Sequence, residues 1–448
     1  MYKRVTFAIN WFWKIFYFPF TFGFMKEDLL HFIWRYRLYD TTDLKSTDDQ
    51  TVEIIQPGLY NTDAGADFGN ARIRIGGVLL AGNVEMHVRQ KDWYTHRHDH
   101  DAAYNNVILH VVYEVDDKPT LLQNGQPVPV LNLKGHIAQQ LLSRYELLKD
   151  SRAKIPCESM IKTLPEDLSM TSYYDKLVIE RMQSKVAVTE SMLAASRNDW
   201  DQVAFRMIAG YFGGSVNKEP LRQLASSLPL SVIHKHRAEP LQIEGLLFGQ
   251  AGMLAADFDD EYPRALKREY TYLRKLHTLM PMEAQAWKFF RVRPVSFPTV
   301  KIAQLAALLV KEEHLFGSIL ACRTLSELRA FFEVRVNPYW DTHFQFDKPA
   351  AKGGASPGNM LTDVLVINAV VPLLFSYGRY KDDENLCQRA LDLLYEIPAE
   401  DNAIIRMWDG LGLKAKTAND TQALLQLNNE YCVNKRCLHC QIGLKLLQ

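Results

Sequence analysis

Hydrophobic and polar residues follow two different patterns along the chain. Residues 50–133 contain short apolar runs separated by turns rich in Gly and Asn, which is typical of strands. From about residue 165 the apolar positions recur at helical spacing, and Gly or Pro marks most of the predicted helix ends, as at 200–212 and 298–320. The change of pattern predicts a β-rich domain at residues 25–150 and a helical domain at residues 151–448.

The strand signals are strong enough to predict pairing. Arg and Ile alternate over residues 72–75, Gly76-Gly77 is a turn signal, and residues 78–88 form a second run, so a hairpin is expected. Residues 106–115 are almost continuously apolar and β-branched, as in a central strand covered on both faces. The fold class predicted is an α+β or α/β N-terminal domain, with a mixed sheet and flanking helices, followed by a mostly α-helical domain.

The first 24 residues differ from both patterns. Residues 5–24 are apolar except for Lys14 and are long enough to cross a bilayer, but no small-residue cleavage signal precedes Met25. Met25 opens a segment with acidic residues in its first helical turn. Three interpretations of residues 1–24 stay open: an over-extended start, a membrane anchor, or a buried N-terminal element. A membrane is a partner only if this leader is genuine.

A chain that begins at Met25 is expected to be soluble and folded, because the helix that follows supplies its own amphipathic pattern. Circular dichroism and gel filtration of the two chain lengths test this. Aggregation or lost secondary structure in the shorter chain alone would make the leader part of the fold.

Composition excludes several classes without selecting one. Hydrophobic residues make up 47% and charged residues 23%, which excludes disordered and collagen-like chains. Since 52 Lys and Arg balance 52 Asp and Glu, a nucleic-acid partner would need a local basic patch. Six cysteines are too few for a disulfide scaffold and favour a reducing, cytoplasmic location. The scattered Cys157, Cys322 and Cys387 are expected to be small buried hydrophobes.

Histidines concentrate in the β-rich domain. Thirteen occur in all, and five fall in one short window: His87, His96, His98, His100 and His110. If residues 82–88 form a strand, Glu85 and His87 share one face about 7 Å apart. His96, His98 and Asp101 follow, and imidazoles with carboxylates suit zinc, manganese or iron. Asp101 could instead cap a helix, and the cluster could be structural.

Two carboxylates bracket the predicted hairpin. Asp67 lies in the turn that enters it, and Glu85 lies in its second strand. Two-metal nucleases place acidic residues in this way around Mg²⁺ or Mn²⁺, which prefer oxygen ligands and activate water. Asp67 and Glu85 are therefore candidate catalytic metal ligands, with His87 placed to accept the proton of the attacking water.

Several segments resemble a known bacterial family, catalogued as domain of unknown function 2851. The resemblance covers residues 25–448 and implies no established activity, although it suggests Met25 as the natural start. The segments are NTDAGADFGNARIRIGG, AGNVEMHV, DWYTHRHDHDAAYNNVILHVVYEVD, EGLLFGQAGML, WKFFRVRPVSFPTVKIAQLA and NEYCVNKRCLHCQIG.

A weaker resemblance covers residues 60–115, which are similar in order to the restriction-endonuclease-like nuclease core. Asp67 matches the Asp of its Pro-Asp motif, and Glu85 begins the match to Asp/Glu-x-Lys. Ala66 replaces the proline, and His87 replaces the lysine that orients or deprotonates the attacking water. The second replacement leaves the role of position 87 open.

The nuclease resemblance also implies an additional acidic residue on the first helix, Glu27 or Asp28. Three functions stay open at this point. The chain could be a metal-dependent nuclease or phosphodiesterase, another metal hydrolase that uses the His87–His100 window, or a non-catalytic scaffold or interaction protein.

Two further segments carry candidate binding residues. Cys432, Cys437 and Cys440 have metal-ligand spacing for zinc or an iron–sulfur cluster, with Cys387 or Cys322 available as a fourth ligand. The alternative is a tail whose thiols only pack.

Basic and aromatic residues interleave near residue 290. Arg291, Arg293 and Lys301 could grip a phosphate backbone while the aromatics stack bases. Equally, the aromatics could be core and the arginines could form salt bridges. The aromatic residues are Trp287, Phe289, Phe290 and Phe297.

Overall fold

The computed structural model of the protein describes residues 25–164, 170–351, 353 and 357–448. The leader at residues 1–24 lies outside the described residues. The described residues form two compact units: residues 25–164 with 431–448, and residues 170–430. The predicted division grouped the C-terminal cysteines with the helical domain. The structure groups them with the first unit, because the last helix packs on elements of that unit.

The first unit contains a mixed sheet, as predicted. Its strand order is β1-β3-β4-β5-β6, with β2 paired to β3. The first strands pair antiparallel, whereas β4–β5 and β5–β6 are parallel. The strands described are β1 (Val52–Gln56), β2 (Leu59–Tyr60), β3 (Phe68–Ile75), β4 (Val78–Arg89), β5 (Val107–Glu114) and β6 (Val130–Asn132).

The predicted hairpin is confirmed. β3 and β4 pair antiparallel from Ile75↔Val78 onward, and Gly76 and Gly77 supply the positive φ values of the turn. The predicted central strand is also confirmed, since β5 lies between two neighbours and most of its residues are buried.

Helices hold the sheet from the sequence positions that flank it. Helix α1 (Glu27–Arg35) has two acidic residues in its first turn and packs its buried face against β4. Its Trp34 donates from Nε1 to the carbonyl oxygen of Pro57 at 3.0 Å. Helix α2 (Asp92–Thr95) follows β4, and its buried Trp93 donates to the carbonyl oxygen of Leu121 at 3.0 Å. A longer helix, α3 (Gln139–Asp150), follows β6.

Close packing between β4 and β5 depends on Gly82. A Cβ atom there would lie 2.5 Å from Cγ2 of Ile108 and 2.6 Å from the carbonyl oxygen of Asn106. Gly82→Ala is expected to lower the free energy of unfolding by about 1–3 kcal/mol through overpacking. Gly135→Ala is the control, because a Cβ there meets nothing within 4 Å. Urea unfolding measures both, and equal stabilities would contradict the prediction.

The second unit is mostly helical, as predicted, with one small hairpin. The 200–212 prediction is met by Trp200–Phe212. The 298–320 prediction is wrong in one respect, since the chain breaks into two helices. The first helix ends at Lys311 and the second begins at Leu315, after a short polar segment. Asp201 accepts the backbone N–H of Phe316, in the first turn of the second helix, at 2.6 Å.

The remaining bounds are α4 (Met170–Ala195), α5 (Trp200–Phe212), α6 (Gly214–Ser227), α7 (Leu230–His236), α8 (Pro240–Gln250), α9 (Glu261–His277), α10 (Pro298–Lys311), α11 (Leu315–Ala321), α12 (Leu325–Phe332), β7 (His343–Gln345), β8 (Lys348–Pro349), α13 (Asn359–Leu365), α14 (Val371–Lys381), α15 (Glu384–Glu396), α16 (Ala403–Gly410), α17 (Ala418–Gln426) and α18 (Gln441–Leu447). A π-helical turn, Val366–Val370, joins α13 to α14. The resulting helix, Asn359–Lys381, is long and apolar enough to span a bilayer, but 67% of its most apolar window is buried inside the protein, as in a core helix.

Candidate metal centre

The β3–β4 hairpin brings Asp67 and Glu85 together. Asp67 precedes β3, whose first residue pairs with Val84 of β4. Glu85 Oε2 accepts the backbone N–H of Asp67 at 3.1 Å, and Asp67 Oδ2 accepts the backbone N–H of Met86 at 2.9 Å. These reciprocal hydrogen bonds fix both carboxylates at one point of the hairpin.

Helix α1 adds two more ligand types to this point. Glu27 and His31 lie one helical turn apart, so they share a face. Nε2 of His31 lies 3.2 Å from Oδ2 of Asp67 and 4.0 Å from Oε1 of Glu27. The three side chains offer ligand atoms that all lie within 4.8 Å of one another. Both ring nitrogens of His31 are buried; Nε2 faces Asp67, whereas Nδ1 has no hydrogen-bond partner among the described residues.

A second group of ligands lies on the other side of Glu85. Nε2 of His98 is 3.3 Å from Oε1 of Glu85, and Nε2 of His87 is 3.8 Å from the same oxygen. Nδ1 of His96 lies 3.0 Å from Nε2 of His87. The ligand atoms of His87, His96 and His98 all lie within 4.8 Å of one another. Glu85 therefore stands between two groups that could each hold a metal ion.

Local backbone geometry aims the two loop histidines at the strand. Arg97, between them, has a φ of 63°, a left-handed conformation that non-glycine residues seldom adopt. The ring of His98 packs against that of Tyr104, with centroids 3.8 Å apart, and lies 5.3 Å from that of the buried Trp93. Such strain, held by surrounding packing, is common at functional sites.

Behind the site the histidine contacts continue into the core. Nδ1 of His87 lies 3.0 Å from Nε2 of His110, whose Nδ1 lies 3.0 Å from Oγ1 of Thr120. Burial, with the neighbouring imidazoles, lowers the pKa of His87 to about 2 and that of His110 to about 3. Both rings are thus neutral at physiological pH, the form that binds metals or accepts protons.

Negative charge predominates on the α1 side. Burial raises the pKa of Glu85, and the charge of Asp67 adds to this shift. Burial likewise raises the pKa of Glu27. Burial disfavours protonation of His31, yet the neighbouring Asp67, Glu27 and Asp28 outweigh it and raise its pKa.

Within the described part of the chain, no Lys or Arg forms an ion pair with the site carboxylates of Glu27, Asp67 or Glu85. Carboxylates beside imidazole nitrogens suit a divalent cation, which could bind both.

The structure brings together five of the predicted site residues: the predicted ligands Asp67, Glu85, His96 and His98, and the predicted proton acceptor His87. Asp101 stands apart. It is exposed and accepts the backbone N–H of Ala103 at 2.9 Å, capping a short 3-10 turn. This is the capping alternative, and Asp101 belongs to neither ligand group.

Sequence reasoning missed His31 and did not assign His110. The nuclease resemblance had offered Glu27 or Asp28, and of these two Glu27 lies in the group with His31 and Asp67. Its spacing of four residues from His31 on one helix was the available signal. Nothing in the local pattern shows that this helix face meets Asp67.

The family of the chain is shown by its sequence. A family model described as "Protein of unknown function (DUF2851)" matches residues 27–403. The chain belongs to this family. The matched span contains every member of both ligand groups. Neither a curated protein nor a solved structure matches the chain. The site geometry therefore has to carry the functional argument.

The predicted nucleic-acid residues lie in the second unit. Arg291, Arg293 and Lys301 line one open cleft. Lys301 is buried, donates to Oε1 of Gln304 at 3.1 Å, and has its pKa lowered to about 8 by burial.

The aromatic residues of that segment divide between the two expected roles. Trp287 is core and donates to the carbonyl oxygen of Ala251 at 2.7 Å. Phe290 is 81% exposed, and the guanidinium carbon of Arg291 lies 5.3 Å from the centroid of its ring. An exposed ring beside a cation is available for base stacking.

Proposed function

We propose that this protein is a divalent-metal-dependent hydrolase that cleaves phosphodiesters, and that it acts as a nuclease. The observation that carries the proposal is the position of Glu85. Its carboxylate is buried in the sheet, accepts the backbone N–H of Asp67, and lies 3.3 Å from Nε2 of His98 and 3.8 Å from Nε2 of His87. A buried carboxylate in such surroundings is costly unless a cation compensates it.

Glu27, His31 and Asp67, with Glu85 beside them, are the residues that would hold Mg²⁺ or Mn²⁺. The three carboxylates supply the oxygen ligands that these ions prefer. When bound, the ion supplies Lewis acidity and lowers the pKa of coordinated water.

The histidines on the other side of Glu85 suit proton movement. His87 is neutral and buried, and its Nε2 contacts Nδ1 of His96 at 3.0 Å. Because His96 is exposed, a proton accepted at His87 has a short route to solvent through it. In this proposal His87 takes the place of the lysine of the nuclease motif: its low pKa keeps it uncharged, so that it can accept a hydrogen bond from the attacking water and pass a proton on rather than hold it.

Two observations favour a phosphodiester substrate. Asp67 before β3, Glu85 within β4 and Glu27 on α1 occupy the places that the nuclease resemblance implies for its acidic residues. Taken by itself, the second unit has a cleft lined by Arg291 and Arg293, and the exposed Phe290 precedes Arg291 in the sequence, a combination that suits a nucleic-acid strand.

The test is a metal-reconstitution assay. Protein stripped with a chelator is incubated with single- and double-stranded DNA, RNA and a small chromogenic phosphodiester, each with Mg²⁺, Mn²⁺ or Zn²⁺. We expect cleavage with Mg²⁺ or Mn²⁺ and none without metal. If the stripped protein takes up none of the added ions and cleaves none of the substrates, the cluster is structural and the scaffold interpretation replaces this proposal.

A second candidate is a zinc hydrolase that uses the histidine group. The observation that favours it is the convergence of three imidazoles, His87, His96 and His98, a ligand set found in catalytic zinc sites. Stoichiometric zinc that is lost in His98→Ala and retained in Asp67→Asn would select it. Manganese binding with the opposite pattern would select the first proposal.

The cleft of the second unit gives a prediction of its own. The double variant Arg291→Ala/Arg293→Ala is expected to bind single-stranded nucleic acid more weakly. The slope of log affinity against log salt concentration should become shallower by about 1.4, at about 0.7 per lost phosphate contact. Arg264→Ala/Arg268→Ala is the matched control, because these exposed arginines pair with Glu261 on α9. Fluorescence anisotropy over a salt series measures both. Equal slopes for both variants would show that the cleft does not bind the strand.

A further inference from the structure

The C-terminal segment of the first unit gathers cysteines from two distant parts of the sequence. Cys432, Cys437 and Cys440 lie in this segment, and Cys157 lies in the loop after α3. The backbone carbonyl of Cys157 accepts the N–H of Ile161, which opens a 3-10 turn. Helix α18 packs on that turn. Cys157, which was expected to be only a small buried hydrophobe, thus belongs to the same unit as the three tail cysteines. Cys322 and Cys387 belong to the second unit.

Burial raises the pKa of the Cys157, Cys432 and Cys437 thiols, and the neighbouring thiols add to each shift. The Cys437 and Cys440 thiols add to the rise in the pKa of Cys157, and the other three thiols add to the rise in the pKa of Cys432. The Cys440 thiol likewise adds to the rise in the pKa of Cys437, so each of the six pairs among the four thiols interacts electrostatically. Cys157, Cys432 and Cys440 are buried, and Cys437 is partly buried. A buried set of mutually adjacent thiols is the environment of a closed metal site.

The surrounding contacts build a defined loop around these cysteines. Gly443 of α18 allows close packing, since a Cβ there would lie 2.0 Å from the carbonyl oxygen of Cys437. Nζ of Lys435 donates to the carbonyl oxygen of Lys149 at 2.9 Å, at the end of α3. Arg144 donates to the carbonyl oxygen of Leu446 at 3.3 Å. The segment is therefore held against α3 at two points, between Cys432 and Cys437 and again beyond Cys440.

We propose that Cys157, Cys432, Cys437 and Cys440 ligate an iron–sulfur cluster that fastens the C-terminal segment to the first unit. The distribution of the ligands favours this centre over zinc. Structural zinc sites take their thiolates as two close pairs, whereas iron–sulfur sites commonly take three from one segment and one from afar. The spacing Cys-x4-Cys-x2-Cys is one of the iron–sulfur spacings.

This proposal is independent of the proposed hydrolase activity.

The test uses full-length protein purified anaerobically. We expect iron and acid-labile sulfide in equal amounts, with the broad visible absorption of thiolate-bound iron. Cys157→Ser is expected to lose most of the iron and this absorption. Cys387→Ser is the matched control and is expected to keep both, because that thiol lies in the second unit and contacts the carbonyl oxygen of Phe375.

Each other outcome overturns a part of the proposal. Zinc in place of iron and sulfide overturns the iron–sulfur assignment, and neither metal overturns the centre. Full iron content in Cys157→Ser overturns Cys157 as the fourth ligand. If that variant is insoluble, alkylation of the wild-type protein decides: Cys157 should become reactive together with the three tail cysteines when iron is removed, and reactivity that ignores iron contradicts its role.

Discussion

Glu85→Gln is expected to lower the metal-dependent hydrolysis rate by at least about a thousandfold. The loss of one charged oxygen ligand removes part of a stabilisation that is worth several kcal/mol in metal-assisted hydrolysis, and about 1.4 kcal/mol corresponds to a factor of ten. Gln keeps the shape of the side chain and can still accept the backbone N–H of Asp67. The variant therefore isolates the charge. Initial rates with saturating Mn²⁺ measure the effect.

Stability separates this catalytic role from a structural one. Because burial raises the pKa of Glu85, its ionisation opposes folding at pH values above the ordinary carboxyl range. The metal-free variant should thus melt at the same temperature as the wild type or higher. Glu53→Gln is the control, since Glu53 is an exposed strand residue paired with Arg74. An unfolded Glu85→Gln protein, or one with full activity, would make Glu85 a structural residue and contradict the hydrolase proposal.

The sequence predicted what local patterns determine. The alternation at residues 72–75 and Gly76-Gly77 specify the hairpin, because strand periodicity and turn conformation are both local properties. Once the hairpin is placed, the nearness of Asp67 and Glu85 follows from its register. The division between a sheet-containing region and a helical region is equally visible, since their apolar spacings differ.

Long-range contacts account for what the sequence did not show. His31 reaches Asp67 only because α1 packs on β4, and that contact depends on the whole sheet. His110 joins His87 through the parallel pairing of β4 with β5, in which His87 aligns with Val112 and Glu85 aligns with His110. Cys157 was expected to be an isolated buried thiol. It is distant from the tail cysteines in the sequence but near them in the fold. Spacing within one segment cannot report such encounters.

Metal binding is expected to reverse the pH dependence of stability around the site. In the metal-free protein, the raised pKa of His31 means that its charged form stabilises the fold below the unfolded value of about 6.5. That contribution is lost as the pH rises through the folded pKa, while ionised Glu27 and Glu85 oppose folding. Stability without metal should therefore fall as the pH rises from acid to neutral.

With Mn²⁺ present the sign should change, because the ion needs neutral His31 and ionised carboxylates and so displaces protons. A concentration 100 times the dissociation constant would add about 2.7 kcal/mol of stability at neutral pH, and this gain should shrink as the pH falls through the raised pKa of His31. Melting temperatures from pH 5.5 to 8, with and without Mn²⁺, measure the two slopes. His31→Gln should lose most of the Mn²⁺ effect, whereas His100→Gln, at an exposed position outside both ligand groups, should keep it. Parallel slopes with and without the ion would show that His31 is not a ligand, and its buried imidazole would then serve only as the ion-pair partner of Asp67.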